Sequence, residues 1–326
     1  MLKKKSWFFL LATLIVGVGF SWSRASSVNA ATTTDWTKPV VTLGSSLTDD
    51  QKQGTISTLT ASLNGAEYST LTVNGATLVK YLNPSGSTFT VNSGVWSSAM
   101  VQKTSSGSGI NVKILNYNGA NNITTITADQ YKNAAVTAGV TDANIYVTSA
   151  IPIDGSGALA GVYAAFAQNG DTLNQKQITA AQDEMSTLSD INQANKDKDG
   201  YSDAQLNNAV AEAKKEMAEK GSSITIGQIT TIVNNTLNNN NLNTVINNNQ
   251  KTQIINMLVK IRDSGALNSS SFKQQASKIA SNIQANAKNI FNKLNTEENR
   301  NFLQKVWDAI VSFFKSIFET LRSYFN

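Results

Sequence analysis

The stretch NKDKDGYSDAQL, from Asn195 to Leu206, alternates oxygen-bearing side chains ahead of a glycine. In a calcium-binding helix–loop–helix, ligands come from loop positions one, three, five, seven, nine and twelve, with glycine at six. Counted from Asn195, Asp197 takes position three, Asp199 five, Gly200 six and Asp203 nine, while Tyr201 offers its carbonyl at seven. Position twelve, where a bidentate glutamate is needed, is Leu206, and Ser202 replaces the core-facing residue at eight. Lys196 and Lys198 weaken the local field further. Two readings remain: a weak calcium site of Asn195, Asp197, Asp199 and Asp203, sufficient for millimolar extracellular calcium, or a polar linker whose Ser202 caps the next helix. The missing ligand favours the linker, and no other cofactor is expected.

Much chemistry is excluded outright. The 326 residues contain no histidine and no cysteine. That removes the commonest general base and metal ligand, cysteine nucleophiles, thiolate metal sites and disulfides. Scattered carboxylates leave room for an acid–base pair, so a carboxylate-dependent hydrolase acting on wall polymers is kept as the alternative to a non-enzymatic binding or structural module. The glycine-rich IDGSGALAG at 153–161 lacks both the dinucleotide spacing and the lysine–hydroxyl pair of a phosphate loop. A strand-to-helix turn capped by Asp154 or Ser156 explains it better.

The N-terminus reads as an export signal. Lys3, Lys4 and Lys5 precede an apolar run from Trp7 to Phe20, and Val28-Asn29-Ala30 offers small residues for cleavage after Ala30. The run is short for a membrane span, which needs ~20 apolar residues. Of 27 basic and 22 acidic residues, Lys3, Lys4, Lys5 and Arg24 fall in this segment, leaving 23 against 22. A near-neutral mature chain carries no basic footprint for nucleic acid. A secreted or surface-associated location is expected, with no sorting signal of the LPxTG type.

At the other end, residues 295–326 form an amphipathic pattern. Asn295 with Glu298 suits a helix start, and Trp307, Ile310, Phe314, Ile317, Phe318 and Leu321 belong to a wide apolar face. Charges interrupt it too often for a membrane span. It suits packing on the chain's own helices, a protein partner, or a membrane surface. Between Lys251 and Lys293 lie Lys251, Lys260, Arg262, Lys273, Lys278, Lys288 and Lys293 against Asp263 alone. Such a region is a solvated helical face or a surface for anionic wall polymer or lipid.

These residues need elements to hold them. After a polar leader at 31–38, residues 39–170 alternate strand and helix patterns and predict an α+β, or small α/β, domain. VVTLG at 40–44, YSTLTVNG at 68–75, GVWSSAMVQKT at 94–104, INVKILNY at 110–117, NITTI at 122–126 and ANIYVTSAIPI at 143–153 read as strands. Thr48 with Gln51 and Thr127 with Gln130 have capping-box spacing. From 171 to 294 the β signal fades and an all-α domain is predicted, including one helix running through the asparagine-rich 226–246 and another ending at Gly265.

Taken together and in order, VVTLGSSLTDDQKQ, GSGINVKI and ITADQYKNAAVTAGVTDANIYVTSAIPIDGSGALAGVYAAF resemble the YpuA-like family of exported Firmicute proteins, known as domain of unknown function one thousand and two. The resemblance is closest over 39–170 and looser beyond. It implies an exported location and a Gram-positive source. It brings no activity, cofactor or catalytic residue.

Overall fold

The computed structural model describes residue 36, residues 38–171 and residues 173–293, with side chains described as far as 281. The segment expected to be an export signal, with Ala30, and the aromatic segment at 295–326 lie outside the described residues.

Runs of β-branched residues build one mixed sheet. β1 (Val40–Gly44) pairs parallel with β2 (Ser69–Val73) and antiparallel with β3 (Ser97–Lys103). β5 (Ala143–Ser149) lies antiparallel to β3, and β4 (Ile110–Ile114) parallel to β5. The order is β2-β1-β3-β5-β4. Period-two alternation sends side chains to two faces. Val41, Leu43 and Met100 meet Leu59 of α1 (Asp49–Thr60) on one face. Val40, Ala99, Val101 and Val147 join α2 (Gly75–Leu82), α3 (Ala128–Thr137) and α4 (Ser156–Gln168) in the other cluster.

Small residues let α4 lie directly on the strands. A methyl group on Gly161 would come 2.5 Å from Thr42 Oγ1, and one on Gly157 would come 2.9 Å from Ser97 Oγ. Both hydroxyls are engaged. Thr42 Oγ1 donates to the Ala99 carbonyl and accepts the Ala99 N–H, while Ser97 Oγ accepts the Ala158 N–H.

The second half is helical: α5 (Gln175–Asn195), α6 (Asp203–Lys220), α7 (Ile226–Asn239), α8 (Asn248–Asp263) and α9 (Ser270–Lys293). The chain is thus an α+β region followed by an all-α region. Capping chemistry sets the starts. Thr48, Thr127, Thr225 and Asn247 each form a reciprocal box with the glutamine three residues on. Gly265, at φ 85°, follows the end of α8. One apolar cluster runs from Val40 to Ile279, so the core crosses residue 170. α5 packs on α3, and α9 packs on both α3 and α6.

Two elements differ from the sequence expectation. NITTI forms no strand; Ile123 makes only an isolated bridge to Ile153, and Thr124 Oγ1 is turned to the Ile153 carbonyl. The helix expected through 226–246 stops at Asn239, and Asn241 adopts φ 56°. Asparagine tolerates that left-handed conformation and competes for helical hydrogen bonds. Leu242 and Ile246 still reach the core, but from a turn.

Trp36, within the leader, is anchored. Its Nε1 donates to Asp171 Oδ2 at 3.1 Å and its ring lies 4.9 Å from that of Phe166. Lys103 stands over the same Phe166 ring at 4.8 Å and 3.6 Å from Asp171.

Candidate functional site

The groups best equipped for chemistry meet where three helices touch. One face of α3 carries Asn133 and Thr137, one turn apart; α5 supplies Glu184 and α6 supplies Lys214. Lys214 Nζ donates to Glu184 Oε1 at 2.8 Å, to the Asn133 carbonyl at 2.9 Å and to Thr137 Oγ1 at 3.3 Å. Thr137 in turn donates to Glu184 Oε2. An ammonium has three protons, and all three are used. A hydroxyl, an amine and a carboxylate in contact resemble an activated nucleophile with its base. Access decides against that use: Lys214 is 1% exposed and Glu184 0%. Burial holds the Lys214 ammonium below its ordinary pKa, with Glu184 opposing the shift. Breaking such a buried pair costs ~3–5 kcal/mol because the remaining charge is stranded. The cluster is a bolt joining α3, α5 and α6.

Two further carboxylates lie along α6. Asp203 accepts from Gln130 Nε2 at 3.2 Å. Its carboxyl is pushed up to about 6, first by burial and then by Asp129, against hydrogen bonds from Thr127, Asn207 and Gln130. Gln130 also accepts from Ser189 of α5 and from the Thr127 backbone, so one capping glutamine connects three helices. Glu212 accepts from Asn208 Nδ2 and from Asn240 Nδ2, each at 3.0 Å. Burial, reinforced by Glu216, raises it to about 7 despite those bonds and Lys215.

The loop from Asn195 to Leu206 is distributed among separate partners. Asn195 is buried at the end of α5; its amide donates to the Ile191 carbonyl and its oxygen accepts from Lys198 Nζ at 2.8 Å. Asp197 and Asp199 are exposed. Asp203 opens α6 and is turned to Gln130. Among the described residues no three acidic side chains come together as a metal-holding group. Ser202 caps α6 by accepting the Gln205 N–H, and Leu206 is buried in the core. The glycine-rich turn before α4 is closed by Asp154, whose carboxylate accepts the Ser156 N–H and hydroxyl.

An open polar groove lies elsewhere. It has a volume of about 750 Å3 and is lined by Ser106 of the β3–β4 loop, by Thr141 and Asp142 before β5, and by Ser270, Ser271, Lys273, Gln274 and Ser277 of α9. The loop approaches α9 through Gly107 and Gly109, both at positive φ. A methyl group on Gly107 would lie 3.1 Å from Gln274, and one on Gly109 3.3 Å from Lys278. Asp142 fixes the junction: its Oδ1 accepts from the Gly109 N–H at 2.8 Å and from Gln275 Nε2 at 2.9 Å. Burial pushes the Asp142 carboxyl up, but these donors, with Gly107 and Lys103, outweigh it and hold the group below its usual range.

From the basic stretch singled out in the sequence, Lys273 reaches this groove, Lys260 pairs with Asp183, and Arg262 pairs with Asp263 and the Ile224 carbonyl. Lys214, Glu184, Thr137 and Asp142 carried no local sequence signal. Their partners lie 30 to 133 residues away along the chain.

A mixed sheet is packed with helices, and the Lys214–Glu184 pair is buried where three of them meet. Comparison supplies the family: residues 43–279 match Protein of unknown function (DUF1002), and the chain belongs to that family. A relative is the protein described as Uncharacterized protein YpuA of Bacillus subtilis (strain 168). It is 28% identical over 284 residues, covering 85% of this chain and 89% of the relative. No solved structure matches the chain.

Proposed function

We propose that the protein is an exported cell-envelope protein that works as a non-enzymatic binding or structural module. The observation that carries this reading is the closure of the Lys214–Glu184–Thr137 cluster. This nucleophile-like trio is sealed from water and hydrogen-bonded within itself. The basic n-region and Val28-Asn29-Ala30 support export. No helix among the described residues is long and apolar enough to cross a membrane. Surface retention is assigned to the apolar face containing Trp307, Ile310, Phe314, Ile317, Phe318 and Leu321, docked on the membrane surface, on a protein partner or beside anionic wall polymer.

Fractionation of a Gram-positive host expressing the full chain, with and without residues 296–326, tests this. The full chain is expected in the wall and membrane fractions, and the shortened chain in the medium. Equal release of both forms contradicts surface docking; retention of both in the cytoplasm contradicts export.

The second reading, a carboxylate-dependent hydrolase of wall polymers, is favoured by Asp203, whose pKa of about 6 beside Asp129 lies in the range of a general acid. Release of wall fragments by the wild type and none by Asp203→Asn would establish it. No release by either form leaves the binding reading in place.

A further inference from the structure

We propose that the groove between the β3–β4 loop and α9 binds a phosphate ester of a polyol. The inference rests on the reading of the chain as a binding module and names that module's ligand.

Three chain segments far apart in sequence build the groove, so its lining is a product of the fold. Hydroxyls and one amide dominate, and no aromatic or aliphatic side chain is among the lining residues. An apolar ligand there would displace water from the hydroxyls without pairing them. A sugar ring held by stacking would need an aromatic platform that the lining lacks. A flexible polyol, by contrast, presents both donors and acceptors, and serine and threonine hydroxyls can answer either.

Charge settles the remainder of the ligand. Lys273 has no carboxylate or hydrogen-bond partner among the described residues. Asp142, the acid in the lining, already meets the Gly109 and Gln275 donors. The stem of Lys278 packs on Gly109 at the loop side. The first turn of α9 contains no acid, and although Ser269 Oγ accepts the Phe272 N–H, the positive end of the helix dipole lies beside Lys273. Behind Asp142, the buried Gln275 lies outside the lining and holds the Asp142 carboxylate through its Nε2. A phosphate beside Lys273 with hydroxyls reaching toward Ser106, Thr141 and Ser277 matches this arrangement. That chemistry occurs in soluble polyol-phosphate polymers and in glycerophospholipid headgroups.

Calorimetric titration of the full chain in phosphate-free buffer tests the site, using sn-glycerol 3-phosphate, glycerol and inorganic phosphate as separate probes. Saturable binding of glycerol 3-phosphate is expected, tighter than either fragment alone. Lys273→Ala should weaken it about tenfold, the scale of one charge-assisted contact. Lys251→Ala, outside the groove, should leave it unchanged. Flotation with phosphatidylglycerol vesicles separates the sources. Vesicle binding that Lys273→Ala abolishes, alongside binding of the soluble ester, assigns a lipid headgroup. Binding of the soluble ester alone assigns a soluble polymer. No saturable binding of glycerol 3-phosphate, or binding that Lys273→Ala leaves unchanged, overturns the proposal. Titration does not depend on where the chain fractionates, so failure here and failure of export or docking are read separately.

Discussion

At the Lys214 bolt, every ammonium proton has an acceptor and water is excluded. Around Lys273, the groove's cation is exposed and unmet among the described residues. The same residue type therefore serves opposite ends. Inside, a complete set of partners makes the charge a structural joint, because a missing partner would be costly. Outside, an incomplete set leaves capacity for a ligand at little cost to stability. Residue type alone does not distinguish function from structure in this chain; burial and partner completeness do.

The largest effect is expected from Lys214→Ala or Glu184→Ala, each losing ~3–5 kcal/mol in urea unfolding. Replacing both charges together, as Lys214→Met with Glu184→Leu, should recover most of that loss, since no charge is left stranded. A loss in the double variant equal to the sum of the singles would show that the pair is no joint.

Next in size is the pH response of α6. The folded-state pKa of Glu212 is raised to about 7 from an ordinary 4.5. The folded state therefore holds the proton more tightly than the unfolded state, and stability falls as pH rises from about 4.5 through about 7. The loss is on the order of 3 kcal/mol. Glu212→Gln should flatten that part of the unfolding profile; an unchanged slope would place the titration elsewhere.

Gly161→Ala should destabilise by ~1–3 kcal/mol, because its methyl group meets Thr42 at 2.5 Å beneath a well-packed helix. Thr127→Ala should cost ~1 kcal/mol through loss of the α3 cap. Smallest of all, Lys273→Ala should stay within about 0.5 kcal/mol of wild type. A large loss of stability there would make Lys273 a second joint and erase the contrast.

Local chemistry was legible in the sequence. Thr48 with Gln51, and Thr127 with Gln130, announced helix starts because both partners of a capping box lie within one turn. Gly265 marked the end of α8 for a similar local reason. The strands of the sheet were visible as β-branched runs, but NITTI was over-read. Its β propensity does not supply a neighbour to pair with, and Ile123 finds only a single bridge. The break at Asn240 and Asn241 lay within a helical apolar spacing that continues into the turn, so periodicity concealed it. Neither polar cluster was legible. Lys214 and Glu184 come from different helices, and the groove joins residues 106, 141 and 270, which only the folded chain brings together. The acidic loop at Asn195 drew attention because its spacing is local; in the fold Asn195 meets Ile191 and Lys198, Asp203 meets Gln130, and Asp197 and Asp199 stay exposed.

The decisive measurement uses the Lys214→Met, Glu184→Leu double variant of the full chain, checked for folding by circular dichroism. Under the proposed reading its distribution among wall, membrane and medium should equal that of the wild type, because the buried trio acts only on the fold. A folded double variant that distributes differently from the wild type would contradict the account.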